Sequence, residues 1–207
     1  MSVQFCLALL ALSSLTAADD SGCNELIKPL QDRSRLSGQW IFVAGTSNDK
    51  EVLEELKIST SIWMELSLYP DRDDVNIHVA ENVTEECIYG KVNLTFSGNS
   101  TMISHNNSST DGPKHWKHLA TCPDCALWTD DSVSPGRNKE TRAKARILFL
   151  FTRSGTLDAA QLEVFKKQAA CLNFLSEFHF GELKDLCPDK KAEEEPSSPT
   201  AQAHSED

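Results

Sequence analysis

From about residue 39 to residue 151, apolar and polar residues mostly alternate, the period of a strand with one buried face. Gln39 to Gly45 is an apolar run rich in β-formers, set off from a polar segment by Gly38. Between Lys57 and Tyr69 the apolar set is Ile58, Ile62, Met64, Leu66 and Leu68. After the turn Pro70-Asp71-Arg72-Asp73, Val75, Ile77 and Val79 alternate with Asn76, His78 and Ala80. Cys87 to Phe96 carries Val92, Leu94 and Phe96, and Gly98-Asn99 is a hairpin signal before a short strand, Met102 to His105. Trp116 to Cys122 and Ala126 to Thr129 flank Pro123-Asp124, and Arg146 to Phe151 is the most apolar strand. Asn48 to Glu55, Asn106 to Lys114 and Ser134 to Lys144 are charged or polar and predict turns and loops.

That makes about eight strands with short connections and no helix between them. Parallel pairing would need longer crossovers, so the expectation is an all-β, up-and-down antiparallel sheet. Eight such strands can close into a barrel and remove their edges. The period then changes. Asp158 to Leu175 places Leu162, Phe165, Ala169 and Leu172 at helical spacing, with Asp158 and Gln161 as cap and partner, which predicts one C-terminal α-helix packed outside the sheet. Phe178 to Phe180 fits a last short strand.

Strand parity sorts the barrel's two faces. With Trp40 pointing into the floor as a structural plug behind Gly38, Phe42 and Ala44 point inward too. The other inward sets are Met64, Leu66 and Leu68; Val75, Ile77 and Val79; Val92, Leu94 and Phe96; and Ile147, Phe149 and Phe151. An eight-stranded barrel has room for one small ligand. The pocket candidates are therefore Phe42, Ala44, Met64, Leu66, Ile77, Val79, Leu94, Phe149 and Phe151, with His105, His118 and Ser104 as the few polar handles. Side chains that merely fill the interior are the alternative, favoured for Trp40 and Phe42.

The ends of the chain change the domain picture. Phe5 to Leu12 is an apolar run of signal-peptide length, followed by the small residues Thr16-Ala17-Ala18, so residues 1–18 are expected to be a secretory signal. Residues 19–188 then form the barrel domain, and 189–207 a disordered acidic tail without large apolar residues. Localisation is extracellular, with no later stretch long and apolar enough to span a bilayer. The net charge of −11 argues against nucleic acid or an anionic membrane as partner.

Beyond Cys6 in the signal, six cysteines remain: Cys23, Cys87, Cys122, Cys125, Cys171 and Cys187. An even number in a secreted chain suggests disulfides, with fifteen connectivities open. Cys122-x-x-Cys125 is better read as structural than as a redox or zinc element, because no second Cys or His pair stands at zinc spacing. His115 and His118 fall on opposite faces of a strand, poor geometry for a metal; no metal site and no cofactor is expected. Sequons occur at Asn82, Asn93, Asn99, Asn106 and Asn107, candidates for N-glycosylation. No catalytic constellation is evident, so no enzyme is expected.

Gly38-x-Trp40, Cys87-Ile88-Tyr89, His115-Trp116-Lys117-His118-Leu119, the Leu162-x-x-Phe165…Cys171-Leu172 helix and Lys184-Asp185-x-Cys187 together resemble the lipocalins, in particular their alpha-1-acid glycoprotein branch. Cys122-Pro123-Asp124-Cys125 is similar to an element of the fish members described as binding tributyltin, or saxitoxin and tetrodotoxin. The Tyr of the Thr-Asp-Tyr element common in lipocalins is missing after Thr129-Asp130, and Arg153 matches the Arg that often follows the last barrel strand. The resemblance implies the pairs Cys23–Cys171 and Cys87–Cys187, which leaves Cys122 to pair with Cys125. It also implies pocket positions at Val79, His105, Phe149 and Phe151.

Together these features lead to the expectation of a secreted, monomeric carrier that sequesters a small hydrophobic or cationic amphipathic molecule, with organotin compounds and guanidinium toxins among the ligands the resemblance implies. An acute-phase-type immunomodulatory glycoprotein is the alternative. A lipocalin-type isomerase is a third reading, and it needs a free thiol inside the barrel.

Overall fold

The computed structural model describes residues 20–104, 115–131, 145–175 and 177–189. The signal segment, His105, the sequons at Asn106 and Asn107, and the tail beyond residue 189 lie outside the described residues. Eight strands form the barrel: β1 Gly38–Ser47, β2 Ser59–Leu68, β3 Asp74–Val83, β4 Glu86–Ser97, β5 Thr101–Ile103, β6 His115–Leu119, β7 Cys125–Asp130 and β8 Ile147–Thr152. Each pairs antiparallel with the next, and β1 pairs with both β8 and β2, which closes the ring. A ninth strand, β9 His179–Phe180, pairs with Ala44 and Gly45 of β1 beyond the point where β1 leaves β2. The helices are α1 Asp20–Leu26, α2 Lys50–Lys57 and α3 Ala159–Cys171.

Two expectations need correction. A helix does lie between strands: α2 occupies most of the charged stretch read as a turn. Its signal is local. Asp49 caps it by accepting from the backbone N–H groups of Glu51 and Val52, and Leu53 is buried while Leu56 packs on the barrel interior. The second concerns Ala44. The pairing with β8 slips between Phe42 and Ala44, leaving Val43 as the extra residue of a β-bulge. Phe42 faces the lumen, but Val43 and Ala44 both pack outward, under α3. The inward position opposite Phe149 is then Gly45.

The inner cluster joins Trp40, Phe42, Met64, Leu66, Val75, Ile77, Leu94, Phe96, Met102, Trp128 and Phe151. Two outer clusters brace the wall. Phe165 and Ala169 of α3 pack on Val43, Ala44, Leu119, Leu127, Leu148 and Leu150. Burying a side chain such as Phe165 contributes about 2 kcal/mol. The predicted cap holds: Asp158 accepts from the Gln161 N–H, and Gln161 returns the bond. Gln168, buried on this helix, donates to the carbonyls of Leu26 and Ala120, fixing the N-terminal segment to the helix.

On the other side the C-terminal segment straps β2, β3 and β4. Trp63 Nε1 donates to the Cys187 carbonyl at 2.7 Å, Asn82 Nδ2 to Asp185 at 2.8 Å, and the Tyr89 hydroxyl to Pro188 at 3.0 Å. Disulfides Cys23–Cys171 and Cys87–Cys187 tie both ends of the chain to this frame, spanning 148 and 100 residues, and Cys122 pairs with Cys125 at the β6–β7 turn. Loops of that size correspond to about 4–5 kcal/mol of denatured-state constraint in the chain-entropy model.

Candidate functional site

The barrel's two ends are built differently. The end reached by the β2–β3 turn is closed. A 3-10 turn at Arg33–Leu36 lies across it, capped by Asp32. The Ser34 hydroxyl and N–H both donate to the Asp32 carboxylate and hold its pKa below the usual value. Trp40 plugs this end: it is 1% exposed, and its indole N–H donates to the Leu36 carbonyl at 2.8 Å. The Arg153 guanidinium lies 3.5 Å from the Trp40 ring centroid and donates to the carbonyls of Arg35, Ser37 and Gln39. Gly38 sits where this packing demands it. Its φ is +93°, and a Cβ there would lie 3.2 Å from Arg153 Nη1.

Above this floor the wall is apolar and mainly aromatic. Phe42 meets Phe151 edge-on with centroids 5.5 Å apart, and Phe151 stacks on Trp128 at 4.7 Å. Trp128 in turn contacts Phe149 at 5.6 Å, Trp116 at 5.6 Å and His118 at 5.5 Å. Of the predicted pocket residues, Phe42, Met64, Leu66, Ile77, Leu94 and Phe151 join the buried inner cluster, while Val79 and Phe149 pack against it half-buried. Leu56, Val92 and Trp116 are half-buried on the same cluster. Ser104 is half-buried just past β5, and Ile147 joins neither cluster.

Among the contributors outside the predicted lining are Leu56, Met102, Trp116 and Trp128. For the tryptophans the signal was present in β6. Lys117 and His115 are exposed, so the intervening face, Trp116 and His118, turns inward. The ladder then sets Trp128 directly beside His118. His118 is 1% exposed. Burial pushes its pKa down to about 4, opposed only in part by a hydrogen bond to the Ser100 backbone, so the ring is neutral at physiological pH.

No group of three or more His, Cys, Asp or Glu residues suited to a metal ion occurs among the described residues. All six described cysteines are in disulfides. Among the described sequons, Asn93 and Asn99 are exposed, on β4 and the β4–β5 turn. Asn82 is buried, and its Nδ2 donates to the Asp185 carbonyl.

A closed eight-stranded meander with its first strand shared at both edges, one helix across its outer face and an Arg-covered Trp at one end is a known architecture. The fold is that of the lipocalins. The siderocalin Q83, which has a dual ligand binding mode, matches at TM-score 0.61 and 20% identity, over 76% of this chain and 95% of its own. A dog lipocalin allergen matches at 0.58 and 17% identity, over 74% and 97%. The siderocalin Ex-FABP, which has dual ligand specificities, matches at 0.55 and 18%, over 68% and 88%. No protein-family model matches the sequence, and no curated protein matches it in sequence comparison.

Proposed function

We propose that this lipocalin-fold chain is an extracellular carrier that binds a small apolar or amphipathic molecule inside the barrel. One observation carries the reading: the floor is sealed, while Leu56, Val79, Val92, Trp116 and Phe149 remain half-buried on the apolar inner wall. Apolar surface left uncovered inside a concave wall is what a ligand of that character covers. That the similar solved structures include one protein described as having dual ligand specificities and one described as having a dual ligand binding mode supports the same reading. The three disulfides suit an oxidising, extracellular compartment.

The finer readings rest on less. The alpha-1-acid glycoprotein-like branch, and organotin or guanidinium ligands within it, are supported by the sequence resemblance alone. The charge of −11 supports cations only through long-range attraction toward the molecule. An immunomodulatory role acting through glycans is compatible with exposed Asn93 and Asn99. The isomerase reading lacks its thiol, since each described cysteine is bonded.

Titration with a neutral apolar fluorophore tests the carrier. Saturable 1:1 binding that quenches tryptophan emission, through Trp116 and Trp128 on the wall, is expected. Absence of saturable binding by any apolar or amphipathic probe overturns it.

A further inference from the structure

The lumen is not uniformly apolar. Three buried polar atoms on β6 and β7 have no hydrogen-bond partner: Trp116 Nε1, Trp128 Nε1 and His118 Nδ1. Trp128 and His118 are 2% and 1% exposed, and the three rings form one contiguous surface through the contacts at 5.6 and 5.5 Å. Trp116 and His118, two apart on one strand, lie about 7 Å from each other along the wall. Buried polar groups are almost always paired, so three orphans on one apolar face mark a place where something else supplies the partner.

The chemistry of that partner follows from the donor and acceptor types. An indole N–H only donates, so Trp116 and Trp128 call for acceptors. The His118 ring is neutral, so one ring nitrogen carries the proton and the other is an acceptor, and we assign the proton to Nε2. Nδ1 is left as an acceptor that calls for a donor. A hydroxyl group does both, donating once and accepting twice.

Charged head groups fit less well. A guanidinium or ammonium donates only and leaves both indole N–H groups unpaired. A carboxylate has no proton for His118 Nδ1. The flanking rings of Phe149 and Phe151 favour a flat or aromatic body behind the head group.

We infer that Trp116, His118 and Trp128 form a neutral polar anchor inside the barrel that selects ligands carrying a hydroxyl on a planar apolar body, such as phenols or hydroxylated fused rings. This rests on the carrier reading, and the test separates the two. The experiment is calorimetric titration of the mature protein with 2-naphthol, its methyl isostere 2-methylnaphthalene, 2-naphthoate and 2-naphthylguanidinium. The expected result is that 2-naphthol binds about tenfold more tightly than the methyl isostere, as leaving buried polar groups unpaired implies, and more tightly than either charged analogue.

Trp116→Phe and His118→Leu, each retaining a cooperative thermal transition, are expected to shrink the ratio of naphthol to 2-methylnaphthalene affinity to within about twofold. Equal affinity of wild-type protein for naphthol and its methyl isostere overturns the anchor and leaves the carrier standing. The orphan atoms would then be satisfied by water. Tighter binding of the naphthoate or the guanidinium overturns the neutral-hydroxyl assignment. If none of the four binds while another apolar probe does, the anchor falls and the carrier stands.

Discussion

The four tryptophans divide into two pairs, and the division follows their place in the barrel. Trp40 on the floor and Trp63 under the C-terminal strap each have an indole N–H donating to a carbonyl, of Leu36 and of Cys187. Trp116 and Trp128 on the lumen wall contact each other and further aromatic rings, yet neither N–H has a partner. A fold that satisfies two buried indoles through backbone carbonyls has no general difficulty in doing so. The floor and strap are finished structure. The upper lumen is built with unused hydrogen-bonding capacity and half-covered apolar surface, the combination expected where a ligand completes the packing.

The largest effect that can test this contrast is at the floor. Trp40→Ala removes a fully buried ring, its bond to Leu36 and the surface on which Arg153 stacks. A loss of about 4 kcal/mol is expected in urea denaturation. Val79→Ala, on the half-buried wall, is expected to lose about 1 kcal/mol. Comparable losses at the two sites would show that the upper wall is as completely packed as the floor.

The next effect is a pH dependence centred on the wall. The folded His118 has a pKa of about 4 against 6.5 for the unfolded ring. Between those values the unfolded chain takes up a proton that the folded chain refuses, so stability is full above pH 6.5 and falls as pH drops toward 4. At 1.36 kcal/mol per pH unit, the loss amounts to about 3 kcal/mol. Carboxylates titrate in the same range, so the measure is the difference between stability–pH curves of wild type and His118→Leu. That difference should slope between pH 6.5 and 4 and flatten above. A flat difference curve throughout would mean that His118 is hydrated in the fold.

How much of this was legible in the sequence depends on how local each cause is. Alternation placed Met64, Leu66, Ile77, Leu94 and Phe151 on the inner face, because strand parity is set by nearest neighbours. It failed at Ala44, because one extra residue at Val43 reverses the parity beyond it, and nothing in an apolar run such as Phe42-Val43-Ala44 announces a bulge. The helix α2 was hidden by its charges, although Asp49, Leu53 and Leu56 carried a cap and a helical stripe. Burial of Asn82 could not be foreseen, since its partner Asp185 is 103 residues away in the chain. The Trp116–His118–Trp128 surface needed the β6–β7 register, which a polar-looking His-Trp-Lys-His segment did not suggest.

A smaller effect checks the floor's geometry apart from its bulk. Gly38→Ala puts a Cβ at a φ of +93° and within 3.2 Å of Arg153 Nη1. The expected loss is about 1–3 kcal/mol. If the Arg153 stack on Trp40 is what the glycine accommodates, Gly38→Ala combined with Arg153→Ala should lose less than the two single losses added together. Strict additivity would leave backbone strain as the whole effect.

The finest measurement addresses the two tryptophan pairs themselves. Trp→Phe at each of the four positions deletes the same atoms, so the loss of ring area is broadly common to all. At Trp40 and Trp63 the change also strands a buried carbonyl, of Leu36 or Cys187, whereas at Trp116 and Trp128 it removes a donor that already lacks a partner. The first pair should therefore lose about 1–2 kcal/mol more than the second in the ligand-free protein. Saturation with a hydroxylated ligand should narrow that gap, because the bound hydroxyl gives Trp116 and Trp128 the partner that backbone carbonyls give the other two. If the gap is absent without ligand, ordered water satisfies the upper indoles, and the distinction between finished floor and open wall rests on shape alone.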